Sequence, residues 1–504
     1  MGYLVTASEM REYDRNTIER IGIPGMVLME RAALESFRIL QELGKVRKGA
    51  SAFIFAGYGN NGGDGLALAR LLSESGVCVE VGLVGKPEKA TESWKLQRKI
   101  LGSYPVSVNP FPAGKEPSRN AYDILVDALF GVGLSRNLEG EYALAVDTLN
   151  RMEGFKLALD LPSGVCGDDG YILGTAFRAD LTVTFGFGKR GLFLYPGCEN
   201  AGEVRTVDIG IGPGAFDGRE PGMYYLEEAI PELLPRRDKA GNKGSFGKAL
   251  LIAGSSGMAG AAILCGEACY RTGAGMVKIL TDPDNRVILQ ERLPEALFGV
   301  YTDIEGSLPW CDGICIGPGL GKSGEARKIL EYVIRANSDI PLLIDADGIN
   351  LLTETPVLLE ELAGQGAGGR EILLTPHLME FSRLYSALFG RENTPDLQEI
   401  RRGASEYGMQ VSEKLCAVVA VKDARTFVCK KGRPVCLNIA GNSGMATAGS
   451  GDVLAGILIG RIVQGERAYD AACRGVRLHA LAGDLAAEKL GEHGMLAGDI
   501  YRQI

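Results

Sequence analysis

The sequence is poor in the residues that bind transition metals, and it lacks the runs that cross membranes. Only three histidines occur in 504 residues: His377, His479 and His493. The eleven cysteines are scattered, and the closest pairs, Cys265/Cys269 and Cys311/Cys315, are not C-x-x-C. That argues against a zinc site of the usual spacing, and scattered thiols in a large chain point to a reducing, cytoplasmic setting. No apolar run approaches ~18 residues, so no membrane span is expected. The first residues, MGYLVTASEMREYD, become charged too early for a secretory leader. Positive charge is not in excess either. The formal net charge of -9 supplies no field to recruit nucleic acid or an acidic membrane.

Glycine is abundant, at 70 residues, about 14% of the chain and roughly twice the usual share. No G-x-y period runs through it, which excludes collagen, and a hydrophobic fraction of 46% excludes a disordered chain. Many tight turns, or loops that bring backbone close to a ligand, would explain the surplus.

At roughly 150 residues per domain, the length allows two or three domains. From 51 to about 210, short apolar runs (SAFIFAGYG, VCVEVGLVG, YDILVDALFG, FKLALDLPSG, ADLTVTFGFG, EVRTVDIGI) alternate with amphipathic stretches such as LALARLLSESG. This pattern predicts a parallel sheet with helices on both faces, preceded by helices over 7–44. The segment GPGAFDGREPG near 211–222 is turn-like and marks a boundary. A second strand series follows: GKALLIAGS, GMVKILTD, DGICIGPGL, PLLIDAD, EILLTPH, CAVVAVKD and RTFVCKKGRPVCLN. The expected division is a domain at 1–215, a linker at 216–223 and a second α/β domain at 224–504. The halves show no mutual repeat.

In the first half, F53-I-F-A-G-Y-G-N-N-G-G-D-G65 runs from a strand into a helix. Asn60, Asn61, Gly62, Gly63 and Asp64 can present amides to an anion at the helix start. The segment is neither G-x-G-x-x-G nor a P-loop. The alternative is a tight turn with Asp64 as helix cap. Asp127 ends a second strand and precedes the loop Gly131, Val132, Gly133, Leu134, Ser135, Arg136, Asn137. Asp160 ends a third, followed by Pro162, Ser163 and Gly164. In a doubly wound sheet such ends converge on one crevice. Asn61, Asp127 and Ser163 then offer oxygen ligands to a hard cation, and Asp160 an acid or base; a simple cap is the alternative for each Asp.

The second half carries a Lys- and Gly-rich segment, 239–248, that reads as an anion-binding flap or an exposed linker. Gly317, Gly319 and Gly321 follow one strand, and Thr375-Pro376-His377 another. Lys422, Asp423, Ala424, Arg425 and Thr426 suit nucleotide phosphates or ribose, or form a surface turn. Asp345-Ala346-Asp347 can help hold Mg²⁺ through water, or cap a helix. The strongest segment is N442-S-G-M-A-T-A-G-S-G-D452, where small residues lead into an apolar helix. Amides there can stabilise a transferring phosphoryl group, and Asp452 can take a proton from the attacking hydroxyl.

N60-N-G-G-D-G65 and D160-L-P-S-G164 resemble the N-terminal epimerase domain of the bifunctional NAD(P)H-hydrate repair enzymes. The second-half segments resemble that family's C-terminal ribokinase-like dehydratase domain. The resemblance spans nearly the whole chain. It implies a Rossmann-like three-layer α/β/α domain and a ribokinase-like α/β/α domain. It implies interconversion of R and S forms of hydrated NADH or NADPH, then dehydration of the S form with ADP, or alternatively ATP. Potassium at Asn61, Asp127 and Ser163 is implied, with Asn60 to Asp64, Gly131 to Asn137 and Asp160 contacting the hydrate. In the second domain, Ala261, Gly319, His377 and Asp452 would contact the hydrate, and Lys422 to Thr426 with Gly451 the nucleotide. Asp160 and Asp452 would be catalytic. Departures from the family pattern are Tyr58 for Pro, Asp423 for Gly, Ser450 for Thr, and Leu378-Met379 for Pro-Gly. Asp423 would bring negative charge toward the phosphates. A homo-oligomer is expected. The competing expectation is a ribokinase-like small-molecule kinase fused to a non-catalytic nucleotide-binding module. On either view the glycines at 62, 63, 65, 131, 133, 164, 317, 319, 321, 449 and 451 are expected to line two ligand clefts.

Overall fold

The computed structural model describes residues 1–111, 117–234, 236–336 and 339–504. The chain forms two compact units, Gly2–Gly222 and Met223–Ile504.

The first unit is built on a seven-stranded parallel sheet. Its spatial order is Ser107–Phe111, Cys78–Val84, Ser51–Ala56, Ala121–Ala128, Glu153–Leu159, Leu181–Phe185, Glu203–Val207. Strand alternation makes two cores from one strand. Ala52, Ile54 and Ala56 pack with the helices Gly25–Glu42 and Asn60–Glu74 on one face. Phe53 and Phe55 pack with the helix Gly140–Arg151 on the other. This is the three-layer α/β/α arrangement. The strand order reverses between Ser51–Ala56 and Ala121–Ala128, so the crevice outside their C-terminal ends is where such sheets bind ligands.

The stretch 7–44 is helical in three pieces. A capping box between Thr6 and Glu9 starts the helix Ala7–Asn16, and a π-helical turn, Thr17–Ile21, continues it. Left-handed Gly22 and then Pro24 break the path before Gly25–Glu42. In the segment expected as a linker at 216–223, residues 217–220 and Gly222 are exposed, while Phe216, Pro221 and Met223 are buried. Phe216 is buried against Tyr13 and Phe187, and the Tyr13 hydroxyl donates to the Arg219 carbonyl. Its Gly/Pro content makes turns over an apolar anchor.

The second unit's parallel strands lie in the order Leu297–Val300, Met276–Thr281, Lys248–Ile252, Gly313–Ile316, Leu342–Ile344, Ile372–Leu374, Val418–Val421. Phe427–Cys429 and Val435–Leu437 extend this sheet antiparallel, and Met223–Tyr225 pairs parallel with the last. The order reverses between Lys248–Ile252 and Gly313–Ile316. The apolar helix Ser450–Ile462 packs closely on the helix Ala259–Arg271. A Cβ at Gly456 would lie 2.1 Å from the Cys265 carbonyl oxygen, so the approach requires glycine. Among the described residues, no helix is long and apolar enough to cross a membrane.

Candidate functional site

In the first unit, three strand ends deliver the predicted residues to one edge. The helix Asn60–Glu74 starts directly after the loop that follows Ser51–Ala56, with Gly59 at its cap position. Asp64 is therefore inside the helix and buried, not a cap. Asn60 is exposed, whereas Asn61 is buried with neither its amide oxygen nor its amide nitrogen hydrogen-bonded. Such an orphaned amide is costly unless a ligand satisfies it. Asp127 is fully buried and accepts from the Ser163 amide (2.7 Å), the Ser163 hydroxyl (2.8 Å) and the Leu129 amide (3.1 Å). Burial pushes the Asp127 carboxyl up to about 6, against the pull of those hydrogen bonds.

Asp160 sits in the left-handed region, at φ 68°, directly after its strand. Its carboxylate receives the buried Lys189 ammonium at 2.5 Å and the Val132 amide at 3.3 Å. This ties the Gly131–Asn137 loop to Asp160, and a Cβ at Gly131 would lie 2.5 Å from the Asp160 Oδ2. The same loop supplies Leu134, Arg136 and Asn137 to a cavity of about 580 Å³ shared with Phe130 and Tyr142. Burial pushes the Asp64 carboxyl well above the ordinary range, and the charges of Asp160 and Asp14 push it further, with Lys189 opposing. Asp14 is raised by burial first and by Asp160 second. Asp14 and Lys189 were not predicted: they lie far from Asp160 in sequence, within no motif.

In the second unit, Lys422 Nζ pairs with buried Asp345 at 2.7 Å, and the Thr375 hydroxyl donates to the same carboxylate oxygen at 2.7 Å. Burial alone would lower the Lys422 ammonium, but Asp345, Glu380 and Asp452 outweigh it and hold it above its ordinary value. Gly451 approaches this ammonium: a Cβ there would lie 3.5 Å from Lys422 Nζ. Asp452 is in the first turn of the helix Ser450–Ile462, whose cap is left-handed Gly449, so Asp452 is not the cap. Burial pushes Asp452 up to about 7, with Asp345 and Asp347 adding and Lys422 opposing. A base near neutral pH at a helix N-terminus suits proton removal during phosphoryl transfer.

The other predicted residues divide. Ala261 and Gly319 meet: a Cβ at Gly319 would lie 2.7 Å from the Ala261 methyl. His377 caps the helix Leu378–Phe389. Its Nδ1 accepts from the Met379 amide (3.1 Å), and Glu380 closes the capping box. Asp347 accepts from the Gly321 amide at 2.9 Å. Thr426 is buried, with its hydroxyl turned to the Asp423 carbonyl at 3.5 Å. The charge of Asp423 is answered by Arg401 at 2.6 Å, so it is not a bare negative group. Ala424 is exposed in this turn.

Sequence reasoning also missed the support behind the second site. Asp484 accepts from the Gly441 amide and the Asn442 side chain. His479, which burial pushes down to about 4, sits 3.4 Å from the Ser450 hydroxyl. At several of the predicted glycines the backbone leaves no room for a side chain. A Cβ at Gly62 would lie 1.8 Å from the Gly57 carbonyl oxygen, one at Gly164 1.8 Å from that of Thr175, and one at Gly317 1.8 Å from that of Asp345. A Cβ at Gly65 would strike Ala128 at 2.5 Å. Close packing requires glycine at these positions. Gly133, by contrast, is open.

Residues 25–191 match the family model described as YjeF-related protein N-terminus, and residues 249–504 the one described as NAD(P)H-hydrate dehydratase. A bifunctional NAD(P)H-hydrate repair enzyme of Thermofilum pendens is 35% identical, covering 97% of this chain and 93% of its own. The chain belongs to the bifunctional NAD(P)H-hydrate repair enzyme family. Members named likewise from Coxiella burnetii and Escherichia coli are 34% and 30% identical, covering 99% and 98% of this chain. They are themselves covered over 98% and 92% of their lengths. A solved ADP/ATP-dependent NAD(P)H-hydrate dehydratase from Bacillus subtilis, co-crystallised with ATP and Mg²⁺, is 28% identical. It covers 56% of this chain and 95% of its own, with a TM-score of 0.47. In family terms, the edge with Asp160 belongs to the epimerase half of a repair enzyme and the edge with Asp452 to the dehydratase half.

Proposed function

We propose that the chain repairs hydrated NADH and NADPH in two steps, one per unit. The observation that carries this reading is the presence, in one chain, of two buried carboxyl centres at the C-terminal edges of two sheets. The family match over both halves supports it.

In the first unit, burial pushes the Asp64 carboxyl well above its ordinary range while Asp160 is charge-paired, so the neighbouring carboxyls suit opposite roles. The hydrate carries its hydroxyl on the carbon next to the ring nitrogen. Asp64 gives a proton to that hydroxyl, which leaves as water while the nitrogen lone pair forms the C=N bond. Water then adds to the other face and loses its proton to Asp160, which inverts the centre without net change. The Gly131–Asn137 loop and Asn60 to Asp64 hold the substrate. Asn61, Asp127 and Ser163 fit a potassium ion: the Asn61 amide is orphaned and all three side chains are buried oxygen donors. Bound there, the cation would supply a fixed positive charge under the substrate.

In the second unit, Asp452 takes the proton of the S hydrate's hydroxyl as the hydroxyl attacks the terminal phosphoryl of ADP, or of ATP. Phosphate then leaves, expelled by the ring nitrogen lone pair, and loss of a proton from the adjacent carbon restores NAD(P)H. With ADP the other product is AMP. Lys422, Gly451 and the turn to Thr426 hold the nucleotide, while Ala261, Gly319 and His377 border the hydrate. Asp345 and Asp347 fit Mg²⁺, which is held by one or two carboxylates together with phosphates and water. The metal would neutralise phosphate charge there.

The exposed side chains of Val287, Ile288 and Leu297, at the second sheet's edge strand and the helix upon it, support a homo-oligomer. A monomer in sedimentation would overturn that part. The eleven scattered cysteines, with no C-x-x-C spacing among them, support a reducing compartment such as the cytoplasm. The test of function is to supply mixed hydrate epimers with ADP or ATP. Recovery of the reduced cofactor with release of phosphate is expected. A stable phosphorylated product would establish a small-molecule kinase instead.

A further inference from the structure

Lys189 is buried and uses all three ammonium hydrogens. They go to Asp160 Oδ1 at 2.5 Å, the Thr184 hydroxyl at 3.0 Å and the Phe185 carbonyl at 2.7 Å. The lysine is fixed from its own side too, because Lys189 pairs in parallel register with Val5. Only one Asp160 oxygen is so occupied. The other, Oδ2, faces the Gly131–Asn137 loop through the Val132 amide. Thr184 adds a bond to Oδ1 at 3.4 Å. Asp160 also holds a left-handed backbone at φ 68°, a strained state for a residue with a side chain, and such strain concentrates at functional sites.

The charged groups that face Asp160 are few. Asp14 comes from the helix Ala7–Asn16, Asp64 from Asn60–Glu74, and Lys189 from the segment after Leu181–Phe185. Arg11 reaches the neighbouring Val132 carbonyl from the exposed side, at 2.8 Å. Three carboxyls thus crowd one buried ammonium, and that ammonium is bonded to Asp160.

We propose that Lys189 is a positioning residue of the epimerase centre, whose ammonium holds Oδ1 of Asp160 and keeps Oδ2 aimed at the substrate loop. The assignment rests on the epimerase reading of this unit. Lys189 also opposes the upward push on the Asp64 and Asp14 carboxyls beside it.

Lys189→Met removes the charge and keeps the stem. Loss of an opposite charge at hydrogen-bond distance disfavours an ionised carboxylate, so the acid limb of epimerase kcat/KM should move upward by about one pH unit or more. Activity should return on the alkaline side. Lys189→Arg, which retains the charge, should hold the limb near the wild-type position. Dehydration of the S epimer by the same protein reports whether the chain is folded, and it should be unchanged. If Lys189→Met does not fold, Thr184→Val decides: it removes one bond to the lysine and one to Asp160, and the limb should move in the same direction. A limb that stays at the wild-type pH in the folded variant overturns the proposal, even if the rate falls uniformly. Wild-type protein without epimerase activity would overturn the functional reading, which separates the two failures.

Discussion

The pH dependence of dehydration follows from the surroundings of Asp452. Burial and the charges of Asp345 and Asp347 push its carboxyl up to about 7, although Lys422 opposes. The base must be ionised to accept the hydroxyl proton. With a value near 7, roughly a tenth of the molecules carry the ionised base at pH 6 and roughly nine tenths at pH 8. The rate at limiting S hydrate and saturating nucleotide should therefore rise about tenfold across that interval. It should fall close to tenfold for each further unit of acid. A carboxyl at the ordinary value of 3.8 would be ionised throughout and the profile would be flat. The assay is recovery of reduced-cofactor absorbance in buffers of constant ionic strength. Asp347→Asn removes one of the charges that raise Asp452 and should move the rise to lower pH. Asp452→Asn should lose on the order of 10²–10⁴ in rate at every pH. Nucleotide affinity, read by calorimetry, should persist because Lys422 is intact. A flat profile between pH 6 and 8, or full turnover in Asp452→Asn, refutes the general-base role.

Other outcomes follow from contacts already described. Gly62→Ala places a methyl 1.8 Å from the Gly57 carbonyl oxygen, and should cost about 3 kcal/mol or more. A melting temperature within a degree of wild type would show that the turn can open. Arg401→Ala strips Asp423 of its partner, so the KM for ADP should rise several-fold; the additional Asp423→Gly change should restore it. No change in the single variant would place Asp423 away from the phosphates. Exchanging potassium for a larger organic cation should raise the epimerase KM, and Asn61→Leu should abolish that sensitivity. Epimerisation indifferent to cation identity in the wild type would contradict a metal at Asn61, Asp127 and Ser163.

Much of the fold was legible because parallel strands buried on both faces are continuous apolar runs. FIFA, ILVDA and VVAV could hardly be placed elsewhere. The strands not expected were those whose sequence carries little of this signal. Ser107–Phe111 contains Pro110 and lies at the sheet edge, where a missing amide is tolerated, and Leu297–Val300 is a four-residue edge strand. Glycine and proline marked the boundary segment as turns, and the two units divide at its end, between Gly222 and Met223. At the sites, the placement of Asp160 after a strand and of Asp452 in the first turn of a helix was legible from the apolar runs beside them, and several loops of like chemistry set them apart from ordinary caps. Lys189 and Asp14 were not, because only the folded chain brings them to Asp160. His377 and Thr426 show the opposite limit. Their positions were legible, but the capping and turn bonds that occupy them depend on geometry.

The measurement that bears most directly on a two-step repair is to give the purified R epimer and ADP to the intact protein. Complete recovery of reduced cofactor is expected. Asp160→Asn should recover it only at the rate of spontaneous epimerisation, while still dehydrating the S epimer normally. Recovery from the R epimer by Asp160→Asn at the wild-type rate, or none by the wild type, would contradict the coupling of the two units.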